Sequence, residues 1–95
     1  MNKGELVDAI ASKVSVTKKE ADLVLSAILE TIVDTVSEGD KVTLVGFGTF
    51  EVRTRQARDG RNPRTGEVLK IPETKVPAFS AGKQFKEKVS PESEA

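Results

Sequence analysis

The sequence contains no cysteine and no histidine. Without cysteine there is no disulfide framework, thiolate nucleophile or thiolate metal ligand. Without histidine the commonest general base and the usual zinc sites are missing as well. The chain also lacks any run of about eighteen apolar residues, the length a membrane-spanning helix needs. Its opening, MNKGELVDAI, does not have the charged-then-apolar layout of a secretory signal. The expectation is an intracellular protein that uses no cofactor, metal, membrane or small-molecule substrate and is not an enzyme. Glu30 and Asp34 stand four residues apart on one predicted helix face, but carboxylates so placed are ordinary solvated surface unless a pocket gathers them.

What is present is charge, and it is unevenly placed. Fifteen basic and fifteen acidic side chains cancel over the 95 residues. Residues 1–40, however, carry four lysines against eight carboxylates, while residues 41–89 carry eleven bases against five acids. The ending SPESEA adds two more acids. A nucleic-acid binder usually shows a basic average, yet a segregation of this kind between halves is itself the signature of a charged partner.

The acidic half reads as helix. Asn2 followed by Glu5 forms an Asn-led capping box before Leu6, Val7, Ile10, Ala11 and Val14, which predicts a helix over about residues 3–14. Thr17 with Glu20 is a second box, and Ala21, Val24, Leu25, Ile28, Leu29, Ile32, Val33 and Val36 behind it predict a long amphipathic helix closed near Gly39. After Gly39 the pattern becomes strand. KVTLV and TFEVRT are rich in β-branched and aromatic residues, and the glycines of VGFGTF permit a tight turn between them. Phe47 in that turn would face water in a lone chain. The GxG there is no phosphate loop, because no third glycine, Lys-Ser/Thr pair or helix follows it.

Residues 51–61 and 67–79 read as two extended arms joined by Pro63-Arg64-Thr65-Gly66, the composition of a four-residue hairpin loop built on a type I turn. Pro72 and Pro77 cannot occupy a central strand, so this hairpin projects or lies at an edge. With few large apolar residues in its outer half it buries no core of its own and is expected to be mobile when free. Ser80 is placed to cap a short helix, AGKQFKEKV, whose Phe85 and Val89 pack inward while its lysines stay solvated. Subtracting the hairpin leaves about seventy residues to form a core, a marginal size for a lone chain. The expectation is a symmetric dimer that buries Leu29, Ile32, Val36, Leu44, Phe47, Phe50 and Phe79 between subunits. A monomer carrying its helices on a small sheet is the alternative.

The blocks MNKGELVDAIA, GDKVTLVGFGTF, ARDGRNPRTGE and VPAFSAGKQFKEKV together resemble the bacterial histone-like DNA-binding proteins, the family of HU and integration host factor. The resemblance covers all but the acidic tail. It implies an α+β fold: an intertwined homodimer with a helical base, an antiparallel sheet saddle and two protruding β-ribbon arms that hold double-stranded DNA through the minor groove. Residues 1–90 would form one DNA-binding domain with its arm at about 53–76, and 91–95 a disordered acidic tail. Pro63 matches the arm-tip proline that family members wedge between base steps. Minor-groove architectural proteins, HU and integration host factor themselves among the type examples, kink the duplex with such apolar wedges. Proline suits the task because its ring is rigid and has no N–H to strand in the base stack.

Arg53, Arg55, Arg58, Arg61 and Arg64 can neutralise phosphates or enter the minor groove, and Lys70 and Lys75 on the returning arm join them. Asn62 offers donors and acceptors to base edges. Lys3, Lys83 and Lys86 match basic sites of the family, and backbone amides after Ser80 could face a phosphate. The neutral net charge departs from the family's basic average and implies modest affinity at physiological salt. The expected function is chromosome compaction and bending with little sequence preference, in the cytoplasm at the nucleoid. Three alternatives stay open: a sequence-selective role of the integration host factor type, a heterodimer with a paralogue, and an adapter whose hairpin docks an acidic protein.

Overall fold

The structure, a computed structural model, describes residues 1–91. Of the tail expected to be disordered, residues 92–95 lie outside the described residues. The chain forms two compact units, Met1–Asp34 and the residues from Thr35 onward.

In the first unit, helix α1 spans Lys3–Val14 and is capped as its sequence predicts. The Glu5 backbone N–H donates to Asn2 Oδ1 at 2.9 Å, and the Asn2 N–H donates back to Glu5 Oε1 at 3.3 Å. Ser15, left-handed at φ 56°, ends the helix. Helix α2 spans Lys18–Ser37. Its Thr17 hydroxyl accepts from the Glu20 N–H at 3.1 Å and donates to Glu20 Oε1 at 2.9 Å, so two side chains close the box rather than side chain and backbone. Gly39 (φ +91°) closes the other end, its N–H reaching Val36 O at 2.9 Å. Val7, Ala11 and Ala21 are buried with Ile10 and Leu25 packed against them. Around this small core, Lys3 Nζ donates to Ser26 Oγ at 2.8 Å and lies 3.6 Å from Asp22, while Lys18 pairs with Asp8 at 3.3 Å. Leu23, Val24, Ile28, Leu29 and Val33 of α2 stay 47–62% exposed.

The second unit contains β1 (Val42–Leu44), β2 (Gly48–Arg55), β3 (Arg58–Arg61), β4 (Val68–Ile71), β5 (Thr74–Ala81) and α3 (Lys83–Val89). Helices and antiparallel strands are segregated along the chain, which is the α+β class. The strands form a sheet of order β1-β2-β5 and a second, two-stranded sheet β3-β4. The two arms expected as continuous strands are therefore interrupted, at Gln56-Ala57 on one side and Pro72-Glu73 on the other. Proline has no N–H for the ladder, and here it stands where pairing lapses. Register is nevertheless kept across the gap: Gly48 faces Ala81, Arg55 faces Thr74, Arg58 faces Ile71 and Arg61 faces Val68, without a bulge. Pro77 lies in β5, an edge strand of its sheet, as its chemistry requires.

Four phenylalanines form the apolar centre of this unit. Phe50 and Phe79 are cross-strand partners with centroids 4.8 Å apart, and Phe47 stacks on Phe85 at 5.3 Å. Phe47 does not simply face water, as its place in a turn suggested, although it remains 44% exposed. The reason is a long-range backbone approach. The Phe47 N–H bonds to Leu44 O at 2.9 Å across Gly46 (φ +83°), and Phe47 O accepts from the Gly82 N–H at 2.8 Å. A Cβ on Gly82 would come within 3.2 Å of the Phe47 carbonyl carbon. This contact holds the chain in strand as far as Ala81, so Gly82 and not Ser80 is the N-cap of α3, and it makes no side-chain cap. Val89, expected to pack inward, is 72% exposed because α3 has only seven residues and meets the phenylalanine cluster through Phe85.

Candidate nucleic-acid interface

Side chains alternate between the faces of a strand, and directly opposed residues of an antiparallel pair share a face. Applied to β2 and β5, this sorts the sheet cleanly. Phe50, Val52, Pro77 and Phe79 lie on one face, and Thr49, Glu51, Arg53, Arg55 and Ser80 on the other. Val42, opposite Phe50, joins the apolar face, and Thr43, opposite Thr49, joins the polar one. Lys75, opposite Thr54, sits at the outer end of the apolar face.

Arg61 on β3 continues the polar face of Arg53 and Arg55, and Lys70 on β4, opposite Asp59, joins it, while Arg58, three residues before Arg61, lies on the other face of the ribbon with Lys75. Beyond Arg61 the ribbon closes in a tight loop. The Asn62 N–H donates to Glu67 O at 2.8 Å and the Gly66 N–H donates to Asn62 O at 2.7 Å. That second bond spans one residue more than a type I turn would, and Gly66 at φ +75° absorbs the difference in the left-handed region. Asn62 Oδ1 accepts from the Arg64 N–H at 2.9 Å, so its acceptor shapes the loop rather than standing ready for a base edge. Pro63 and Arg64 are exposed at the apex. On the outer ribbon, Ile71 covers Gly60, where an added Cβ would meet Ile71 Cδ1 at 2.9 Å.

Among the described residues Arg55, Arg58, Arg61, Arg64, Lys70 and Lys75 make no ion pair, and all are exposed. Seven bases lie between residues 53 and 76 against Asp59, Glu67 and Glu73. The ribbon therefore carries a positive surplus, with exposed cations on both of its faces. The remaining expected sites are less free: Lys3 is engaged with Ser26 and Asp22, and Lys83 lies 3.8 Å from Glu87. Lys86 is exposed on α3 beside Phe85. The backbone amides after Ser80 are not a helix terminus, since Ser80 and Ala81 are in β5. Of the apolar residues expected at a subunit interface, Val36 is buried, Ile32 and Phe50 are half-buried, and Leu29, Leu44, Phe47 and Phe79 are 39–47% exposed.

One polar cluster was not visible in the sequence, which offered Ser80 only as a helix cap and a start of free amides. Lys41, Glu51 and Ser80 gather around Arg53, whose Nη2 donates to Ser80 Oγ at 2.7 Å and lies 3.8 Å from Glu51. The alternation of Glu51, Arg53 and Arg55 carried the signal for Glu51, but the register that brings in Ser80 is set by pairing across 27 residues.

With this geometry in hand, comparison with known proteins is direct. The profile of the family described as "Bacterial DNA-binding protein" matches residues 1–90. The DNA-binding protein HU of a Nostoc species is 71% identical over 91 residues, covering 96% of this chain and 97% of that one. The DNA-binding protein HU of a Synechocystis species is 60% identical, with 97% and 98% covered. Among solved structures, an Anabaena HU–DNA cocrystal structure superposes with a TM-score of 0.87 at 71% identity, covering 96% and 99% of the two chains. HU from Thermotoga maritima gives 0.70 at 40% identity, covering 95% and 100%. A family match over almost the full length, relatives this similar and the shared fold agree: the chain belongs to the bacterial DNA-binding protein family of which HU is a member.

Proposed function

We propose that the protein is an architectural DNA-binding protein of the HU type, acting as a dimer that grips double-stranded DNA through the minor groove and bends it. The observation that carries this reading is the run of exposed cations without ion pairs along the ribbon, ending in an exposed proline on a loop held by its own backbone. Arg53, Arg55, Arg58, Arg61, Arg64, Lys70 and Lys75 neutralise phosphates, with Lys3, Lys83 and Lys86 adding contacts nearer the sheet and helices. Pro63 enters between base steps. Asn62 holds the loop that presents it. Residues 1–90 work as one domain, with the arm over about 53–76.

The half-exposed apolar stripe of α2 and the phenylalanine cluster support the dimer, because a second copy would cover both and supply a second arm. The similar Anabaena HU was crystallised together with DNA, which supports the partner. Phosphate and groove contacts carry little base information, so binding is sequence-tolerant and suits compaction at the nucleoid. Bending a short site costs about 1–6 kcal/mol, so nicked or flexible duplexes bind more tightly than stiff ones.

The test is fluorescence anisotropy with several unrelated duplexes over a salt series. Similar affinities that fall steeply with salt are expected. One strongly preferred duplex would move the assignment to a sequence-selective bender, and no binding at low salt would overturn the DNA reading.

A further inference from the structure

One carboxylate stands among the cations on the polar face of the sheet. Glu51 is opposite Ala78, whose methyl offers its side chain no polar partner across the strands. Its two oxygens lie instead 4.0 Å from Lys41 Nζ and 3.8 Å from Arg53 Nη2. Arg53 is held a second time, by its 2.7 Å bond to Ser80 Oγ. The carboxylate is 27% exposed, whereas Lys41 and Arg53 are 67% and 58% exposed, so both cations keep most of their surface in solvent while paired. Pairs this long and this wet contribute little to folding. They do, however, leave two cations of the face already partly neutralised, while Arg55, the next residue of the same face, makes no ion pair among the described residues.

We propose that Glu51 is a built-in competitor for DNA phosphate: binding transfers Arg53 and Lys41 from Glu51 to the duplex, while Ser80 keeps the guanidinium aimed along the face as its anionic partner changes. The inference rests on the DNA-binding function proposed above and names a tuning element of that site. Its consequence lies in ion counting. Each phosphate met by a cation releases a condensed counterion, but each Glu51 set free takes one up from solution. The net release is smaller than the number of phosphates touched, and affinity depends less steeply on salt than the cation count implies.

Glu51→Gln keeps the shape and removes the competitor. The expected result is tighter binding at low salt, with a plot of log affinity against log salt steeper by about one unit for each Glu51 facing the duplex. Between about 50 and about 200 mM salt this amounts to roughly a further fourfold loss of affinity per unit. Glu30→Gln on α2 is the comparison, because it removes the same charge from a residue that holds no cation among the described residues. Its slope should stay at the wild-type value. Equal slopes for wild type and Glu51→Gln would overturn the proposal, as would an equal change in Glu30→Gln. Weaker binding by Glu51→Gln would overturn it too, making Glu51 a residue that positions Arg53. Should the amide disturb the strand, seen as a lowered melting temperature, Glu51→Thr gives the same comparison with a side chain strands favour. Failure of the underlying reading looks different: the wild type would then bind no duplex at any salt.

Discussion

Gly48 has no room for a methyl group. A Cβ there would lie 2.5 Å from two ring carbons of Phe79 and 2.6 Å from the Ser80 carbonyl oxygen, and the latter is backbone fixed by the β2-β5 ladder. Gly48→Ala should therefore destabilise the fold by about 2–3 kcal/mol, in the range of overpacked cores, read as a lowered urea midpoint. An unchanged midpoint would mean that the ladder yields more easily than this register suggests. Pro63 is the opposite case, since no hydrogen bond of the loop uses its ring. Pro63→Ala is expected to leave stability within about 0.5 kcal/mol and to reduce DNA bending, measured by energy transfer between end labels, more than it reduces affinity. Bend angles that do not move would exclude the wedge. Arg58→Ala, removing a cation that has no ion pair among the described residues, should lower the salt slope by about one unit if it meets one phosphate. An identical slope would take Arg58 out of the interface.

Among the elements, β3 and β4 pair only with each other over four residues a side, and two-stranded ribbons are marginal in water. Their amides should exchange with solvent far faster than those of β2, which is paired on both sides. Hydrogen exchange read by mass spectrometry or NMR checks this, and equal protection would mean that the outer ribbon is stabilised by something beyond its own ladder. The same elements show what the sequence discloses and what it withholds. Both helix starts were legible because capping boxes are local, decided within four residues of Asn2 and Thr17. The pairing gap at Pro72 could be anticipated from its missing N–H, though its exact counterpart at Gln56-Ala57 follows only from register. The start of α3 was not legible. Ser80 is a good cap by type, but whether it caps depends on Gly82 reaching Phe47, a contact 35 residues away in the chain. The cations of the ribbon and Pro63 were visible as composition, whereas the carboxylate among them became meaningful only once strand faces were assigned.

For the molecule as a whole, buried surface is scarce. Val7, Ala11, Ala21 and Val36 are the buried apolar residues among those described, while Leu29, Val33, Phe47 and Phe79 keep 39–62% of their surface in solvent. A core so small is marginal for one chain, and covering the exposed residues with a second copy links stability to concentration. The melting temperature is therefore expected to rise as protein concentration rises, and sedimentation at low micromolar concentration should give the mass of two chains. A single-chain mass with a concentration-independent melt would remove the dimer. Charge acts at this scale as well. The acidic surplus in residues 1–40 and the basic surplus in residues 41–89 cancel in the total, so net charge says nothing about how the protein meets a polyanion, whereas its distribution favours approach by the basic half.

The unbroken register of the ribbon makes it a measuring rod. A one-residue deletion on one strand alone would turn every side chain beyond it to the opposite face. Removing Gln56-Ala57 together with Pro72-Glu73 would instead draw Pro63 inward by two residues on each strand, about 7 Å, and leave Arg58 and Arg61 on the faces they now occupy. Base steps are spaced about 3.4 Å apart along one strand. On the proposed function, reach is thus a variable separate from grip, adjustable in increments of about two base steps without redesigning the tip.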